Sequence, residues 1–319
     1  TIDRFNFTTT SAGRFTMEQV ADVHDGFANA MKLSCTTADT SISASEALIL
    51  QTKFEGQDMQ QLRYGSSSAE SITVSFYVKG NASATYTLEW RNEEDGRNIG
   101  KTFNVTTDWT RVIITFTGDT GGSPVDDDNT HAFTLGIWLH GGSTFSGGTF
   151  TENVYHSTNN QRIGDGQTSF LDSTDRTFFI TGLQMELGSQ ATPFEHRSFG
   201  EELQLCQRYF EKSYSAGTAP ASDTSAGLIT TDTMGGDTTT AYLTHQLEYR
   251  VAKRSAPTVV IYDQAETSGK VTSHVTGVST ANNQTISTEH AGDKSISMNR
   301  ASGDAANGFR FHYTADAEL

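Results

Sequence analysis

The sequence predicts an all-β protein: a jelly-roll-like sandwich, one short helix and a second, smaller sandwich. Three observations carry this prediction. Apolar and polar residues alternate strictly in one short segment after another. Clusters of Gly, Ser, Asp and Asn separate those segments. Hydrophobic residues make up 35% of the 319, below the roughly 45–50% of ordinary globular chains, a figure that also counts Gly. The polar excess is uncharged, which favours strands and turns, and the 10% aromatic content supplies material for cores.

The elements follow in order. Residues 31–35 and 48–54 are the first strand candidates. In 71–79, Ile72, Val74, Phe76 and Val78 oppose Thr73, Ser75 and Tyr77. Residues 84–90 set Tyr86, Leu88 and Trp90 against Thr85, Thr87 and Glu89. Residues 110–117 set Val112, Ile114 and Phe116 against Arg111, Ile113 and Thr115, and 132–140 set Phe133, Leu135, Ile137 and Leu139 against Thr134, Trp138 and His140. Residues 178–187 close the series. Period-two patterning with one apolar face means antiparallel sheets that cover a core on one side. Long connections, and a last strand far from the first, favour a jelly roll over an immunoglobulin-like order. Two connections are unusually long, 121–130 and 141–175. Such loops serve function, motion or contacts between subunits.

One helix is expected next. Ser198-Phe199-Gly200-Glu201 has the spacing of a capping box. Leu203, Cys206 and Phe210 then form a stripe over about 199–213. That is too short for a coiled-coil stalk and reads as a hinge or packing element. After a small-residue loop, strands resume at 227–231, 240–251, 258–262, 270–275, 284–288, 295–299 and 308–313. The expected domains are 1–197 (jelly roll), 198–214 (helix) and 215–319 (second sandwich).

A net charge of -16 repels phosphate backbones and argues against nucleic-acid binding. The absence of any run near 18 apolar residues argues against membrane insertion. Two distant cysteines, Cys35 and Cys206, make no disulfide framework. The N-terminus carries neither an initiator Met nor an apolar signal segment, so a processed or partial product is expected.

Phe179-Ile180-Thr181-Gly182-Leu183-Gln184-Met185-Glu186-Leu187-Gly188-Ser189, continued by Ala191-Thr192-Pro193-Phe194-Glu195 and by Cys206-Gln207-Arg208-Tyr209-Phe210, resembles a segment of tailed-bacteriophage virion proteins. In that family a carbohydrate-binding-module-like jelly roll precedes a helix carrying "CQRYF". Residues 254–259 and the terminal residues 313–319 are similar to the C-terminal module of the same proteins, as are Phe54-Glu55-Gly56-Gln57-Asp58 and Ser68-Ala69-Glu70-Ser71 near the start. The resemblance implies a virion protein of a tail fibre or similar appendage, assembled in the host cytoplasm and acting in host adsorption. It implies a homotrimer, contacts with other virion proteins and a surface glycan as receptor. It transfers no ligand residues.

The chemistry is sparse. No spacing singles out a carboxylate pair for glycan cleavage, and Glu89, Glu93 and Glu94 read as a solvated hairpin. G-x-S-x-G, P-loop and H-E-x-x-H motifs are absent. No catalytic residue and no cofactor are expected. A structural calcium on Asp126, Asp127 and Asp128, with Asn129, or near Asp165-Gly166, is weighed against a plain acidic loop. Tyr77, Trp138 and His140 face away from the core in the alternation, and are the candidate rings for stacking on sugar. The opposing reading is that they pack against a loop, the helix or another subunit. The alternative functions are a purely structural virion component (capsid fibre, decoration or cement protein) and a glycan-degrading enzyme.

Overall fold

The computed structural model describes residues 4–11, 13–232, 242–275, 278–301 and 308–319. The chain divides into two compact units, Thr1–His196 with Leu319, and Arg197–Glu318.

The first unit has ten strands: β1 (Phe5–Thr9), β2 (Phe15–Val20), β3 (Ala30–Cys35), β4 (Ala47–Glu55), β5 (Ile72–Gly80), β6 (Ala84–Asn92), β7 (Asn98–Val105), β8 (Thr110–Phe116), β9 (His131–Gly141) and β10 (Thr177–Leu187). They form two five-stranded sheets, β1-β4-β9-β6-β7 and β2-β3-β10-β5-β8. Every pairing is antiparallel. The chain repeatedly switches sheets, which is the jelly-roll-like order the sequence predicts.

The core lies between the sheets and is filled by the alternating residues: Val74, Phe76, Leu88, Trp90, Phe133, Leu139 and Phe178 are all 0% exposed and belong to one cluster. Trp90 and Phe133 stack at 4.6 Å with planes 6° apart.

Three strands of this unit escape the sequence reading, β1, β2 and β7. In β7 the alternation Ile99, Phe103, Val105 is interrupted by Lys101 and by Gly100. Gly100 is small for a reason outside the strand: a Cβ there would meet the Phe150 ring at 2.9 Å. The long connection after β9 is not a free loop. It carries a short helix α1 (Ser143–Ser146) and lies on the outer face of the first sheet. There Ile163 and Phe145 join Ala47, Ile49 and Trp138 in a separate small cluster. Glu89 is likewise no solvated turn residue. It sits inside β6, 2% exposed, under that connection.

The second unit begins with helix α2 (Phe199–Gln207). The capping box is present: the Glu201 N–H donates to Ser198 Oγ at 3.3 Å and the Ser198 N–H to Glu201 Oε2 at 3.0 Å. The helix stops short of the expected 213 because Phe210–Lys212 leaves it as β11 and pairs with the last strand. The remaining strands are β12 (Ile229–Asp232), β13 (Tyr242–Glu248), β14 (Thr258–Tyr262), β15 (Lys270–Val275), β16 (Val278–Thr285), β17 (Ser287–Glu289), β18 (Ser295–Ala301) and β19 (Gly308–Asp316). Three of them, β12, β14 and β15, pair with β19, as β11 does. A three-stranded sheet, β13-β18-β17, supplies further residues of the same core. Leu247, Ile296, Met298, Phe309 and Phe311 fill that core. Of the expected strand 240–251, residues 240–241 and the Leu243 side chain lie outside the described residues.

Candidate functional site

Alternation places Trp138 and His140 on the outer face of β9, and they are there, but neither meets solvent. Both are 0% exposed. The Trp138 indole N–H donates to Glu89 Oε2 at 3.0 Å. Arg162 holds Glu89 with two hydrogen bonds, at 2.7 and 2.6 Å, and its guanidinium lies 4.9 Å from the Trp138 ring centroid. Phe145 closes over the same ring at 4.9 Å. His140 is buried beside Ser169. The expectation that these two rings stack on sugar is therefore corrected: a strand pattern reports which face a side chain takes, not whether a distant segment covers that face. Tyr77 lies on the other sheet, so the three residues do not form one site.

Tyr77 leads to a different surface. On the outer face of β2-β3-β10-β5-β8 it registers with Thr181 on one side and Arg111 on the other. It is half-buried because His24 lies against it at 4.2 Å and Phe27 at 5.4 Å. Phe194 and His196 extend the patch, each near Phe27 at 5.1 and 5.4 Å. Two residues along β5, the Lys79 ammonium lies 5.0 Å from the Phe179 ring and 5.6 Å from Trp109. Trp109 is half-buried and meets Phe179 edge-on at 6.2 Å. Asp22 completes this end, accepting from Lys79 at 2.6 Å and from the Trp109 indole N–H at 3.5 Å. The hydrogen bond from Lys79 holds the Asp22 carboxyl below its usual range. Lys32 and Glu18, paired at 2.7 Å, continue the charged margin. A cavity of about 490 Å³ opens nearby, lined by Phe5, Gln19, Asn29, Met31 and Thr181 among others.

Half-exposed rings beside paired charges offer what a sugar needs: an apolar face to stack on and polar groups for its hydroxyls. Trp109 has no assigned role in the sequence reading. Its signal was its place, at the entry to a strand whose outer face is otherwise Arg111, Ile113 and Thr115.

The Thr181–Glu195 segment has a structural use. Its glycine, Gly182, has φ +59° beside a register shift in β10, and a Cβ there would stand 2.4 Å from the Phe27 ring. Gln184 and Glu186 then clasp the returning chain. The Glu195 N–H donates to Gln184 Oε1 at 2.8 Å, and the Thr192 hydroxyl to Glu186 Oε1 at 2.6 Å. Burial raises the Glu186 carboxyl, but the hydrogen bonds from Thr192 and Gln184 outweigh it and hold it below its usual range.

Asp126 and Asp127 are exposed and Asp128 is half-buried. Thr130 donates its N–H and hydroxyl to Asp128 Oδ1 at 2.9 and 2.7 Å, which makes that carboxylate a turn cap. The three carboxylates do not converge. Among the described residues one trio of such ligands does, and it is Asp39, Glu46 and His140. The calcium expectation at 126–128 thus finds no converging carboxylate set there.

No family profile matches the chain, and no curated protein matches it. Solved structures similar to it include the family 30 carbohydrate-binding module of a Clostridium thermocellum cellulosomal cellulase, at 14% identity over 58% of this chain and 91% of that one, with TM-score 0.34. A CBM4 structure is 14% identical over 58% of this chain and 87% of that chain, with TM-score 0.33. The enzymatically active domain of bacteriophage CBA120 tailspike protein 4 is 11% identical over 59% of this chain but only 20% of that chain, with TM-score 0.32. The sandwich itself rests on the strand order given above.

Proposed function

We propose that this chain is a non-enzymatic virion protein of a tailed phage, part of a tail fibre or similar appendage, whose first unit binds host-surface carbohydrate. The observation that carries the binding is the ring surface on β5, β8 and β10: Tyr77 with His24 and Phe27, and Trp109 beside the Asp22–Lys79 pair. The virion setting, the homotrimer and assembly in the host cytoplasm rest on the resemblance of residues 179–210 to phage virion proteins.

The test is binding of the labelled chain to bacterial cells and to a glycan array, with and without periodate oxidation. Saturable binding lost on oxidation, and weakened about 10-fold or more by Trp109→Ala or Tyr77→Ala, is expected. Binding that ignores periodate and both substitutions overturns the assignment of this face.

One observation favours a purely structural virion part instead. Helix α2 exposes Phe199 at 78%, Leu203 at 42% and Leu205 at 40%, an apolar set suited to assembly. If the chain associates through these residues and binds no glycan, the structural reading replaces the first.

A further inference from the structure

We propose that Asp39, Glu46 and His140 form a binding site for a divalent transition-metal ion of the zinc class. One ligand atom from each lies within 4.8 Å of the others. The three come from separate places: Asp39 follows β3, Glu46 precedes β4, and His140 stands near the end of β9.

The polar groups around the trio leave acceptors facing one another. His140 Nδ1 is 2.7 Å from Ser169 Oγ, and that oxygen also accepts the Leu171 N–H at 3.1 Å. The tautomer with the proton on Nδ1, donated to Ser169, is the one that orients a ligating histidine and frees its other nitrogen. His140 Nε2 is buried and has no hydrogen-bond partner. It faces Glu46 Oε2 at 3.6 Å. Asp39, 7% exposed, uses Oδ1 to accept the Ser41 N–H at 3.1 Å, while its buried Oδ2 has no hydrogen-bond partner. The nearest cation is Arg14, whose Nη2 stands 3.6 Å from Asp39 Oδ2 while its Nη1 donates to Ala38 O at 2.8 Å.

Glu46 Oε2 accepts the Ser43 N–H at 2.9 Å, which leaves His140 Nε2 and Asp39 Oδ2 as the buried atoms without a hydrogen bond; in the Nδ1-protonated tautomer both are acceptors, a costly arrangement that a cation between them relieves. Metal–ligand bonds of about 2.1 Å around a tetrahedron place ligand atoms about 3.4 Å apart, close to the observed Glu46–His140 separation. An imidazole with two carboxylates suits zinc, cobalt or manganese better than calcium, which prefers oxygen alone. Glu46 is the half-buried member, and its side, 22% exposed, is the entry. Through Ser169 the ion would fix the long connection over the first sheet.

The experiment uses the whole chain, freed of metal by chelator and titrated with zinc chloride by calorimetry, with cobalt chloride as a spectroscopic probe. One equivalent should bind, the cobalt form should show tetrahedral absorption, and the melting temperature should rise. Asp39→Asn and His140→Ala should each weaken binding about 100-fold or more. Because these two are buried and can harm folding, Glu46→Gln serves as the surface-side variant and should weaken binding while leaving the metal-free melt unchanged. No saturable zinc binding by the wild type, zinc binding unaffected by Glu46→Gln, or a site that takes calcium in preference to zinc would each overturn the proposal.

Discussion

Two carboxylates, Glu89 and Glu211, are each 2% exposed and each is met by a cation. Arg162 reaches Glu89 at 2.6 Å, and Lys253 reaches Glu211 at 2.6 Å. In the second pair the Tyr313 hydroxyl and the Arg250 N–H also donate to Glu211, and Lys253 also donates to Gln207 O. Burial pulls the Lys253 ammonium below its usual value and Glu211 opposes that pull. Removing one member strands the other's charge away from water, which costs about 3–5 kcal/mol, whereas replacing both with apolar residues is near neutral. Lys253→Met should therefore lower urea-unfolding stability by that amount, and Lys253→Met with Glu211→Leu should recover most of it. A double variant as unstable as the single would show that the stranded Tyr313 and Arg250 donors, or the change of shape, set the loss rather than the lone charge. Neither pairing was legible in the sequence. Glu89 reads as a turn residue until β6 is seen to run on to Asn92, and its partner lies in a loop that the pattern leaves unplaced.

At the scale of elements, the strands with a clean apolar face were readable and those without one were not. Residues 71–79 were legible because Ile72, Val74, Phe76 and Val78 all enter one core. β1 and β2 were not, because Phe5, Phe7, Phe15 and Met17 are only partly buried and pack at the margin of that core. The candidate site fared the same way. Alternation puts Tyr77 on an outer face, where it is half-buried, but Trp138 and His140 were misjudged because their cover comes from residues 142–170. The β10 clasp gives two tests at this scale. Gly182→Ala meets both a left-handed backbone and the Phe27 ring, and should cost about 1–3 kcal/mol, read as a lower melting temperature of the first unit. An unchanged melt would mean that Phe27 shifts freely. Glu186→Ala removes the acceptor of the Thr192 N–H, at 3.1 Å, and of its hydroxyl. Amide exchange at Thr192 should then accelerate while exchange in β5 stays slow. Equal exchange in both proteins would show that Gln184 alone holds the segment.

The whole molecule has two separate cores, and each carries groups that make stability depend on pH. Burial lowers His156 in the first unit and His245 in the second. As pH falls through the ordinary value of about 6.5, the unfolded chain takes up protons that the fold refuses, so stability falls. Glu93 adds to this loss further down. Burial raises it, but bonds from Thr134 and Arg91 leave it below its usual range, so its contribution is present above about 4.3 and disappears as it is protonated in the fold. On the alkaline side burial pushes Tyr64 and Tyr249 up to about 12. Above about 10 the unfolded chain loses phenolic protons that the fold keeps, so stability falls as pH rises toward 12. Both units should therefore melt highest between about pH 7 and 10. Tyr249→Phe separates the cores, because the Tyr249 hydroxyl is buried without a hydrogen-bond partner and its loss is mild. In thermal melts across this range, Tyr249→Phe should make the alkaline fall of the second unit shallower, with Tyr313 supplying the rest, and leave that of the first intact. A second unit that still weakens as steeply above pH 10 would move the alkaline sensitivity from Tyr249 to Tyr313, whose hydroxyl is bound to Glu211 and is likewise raised by burial.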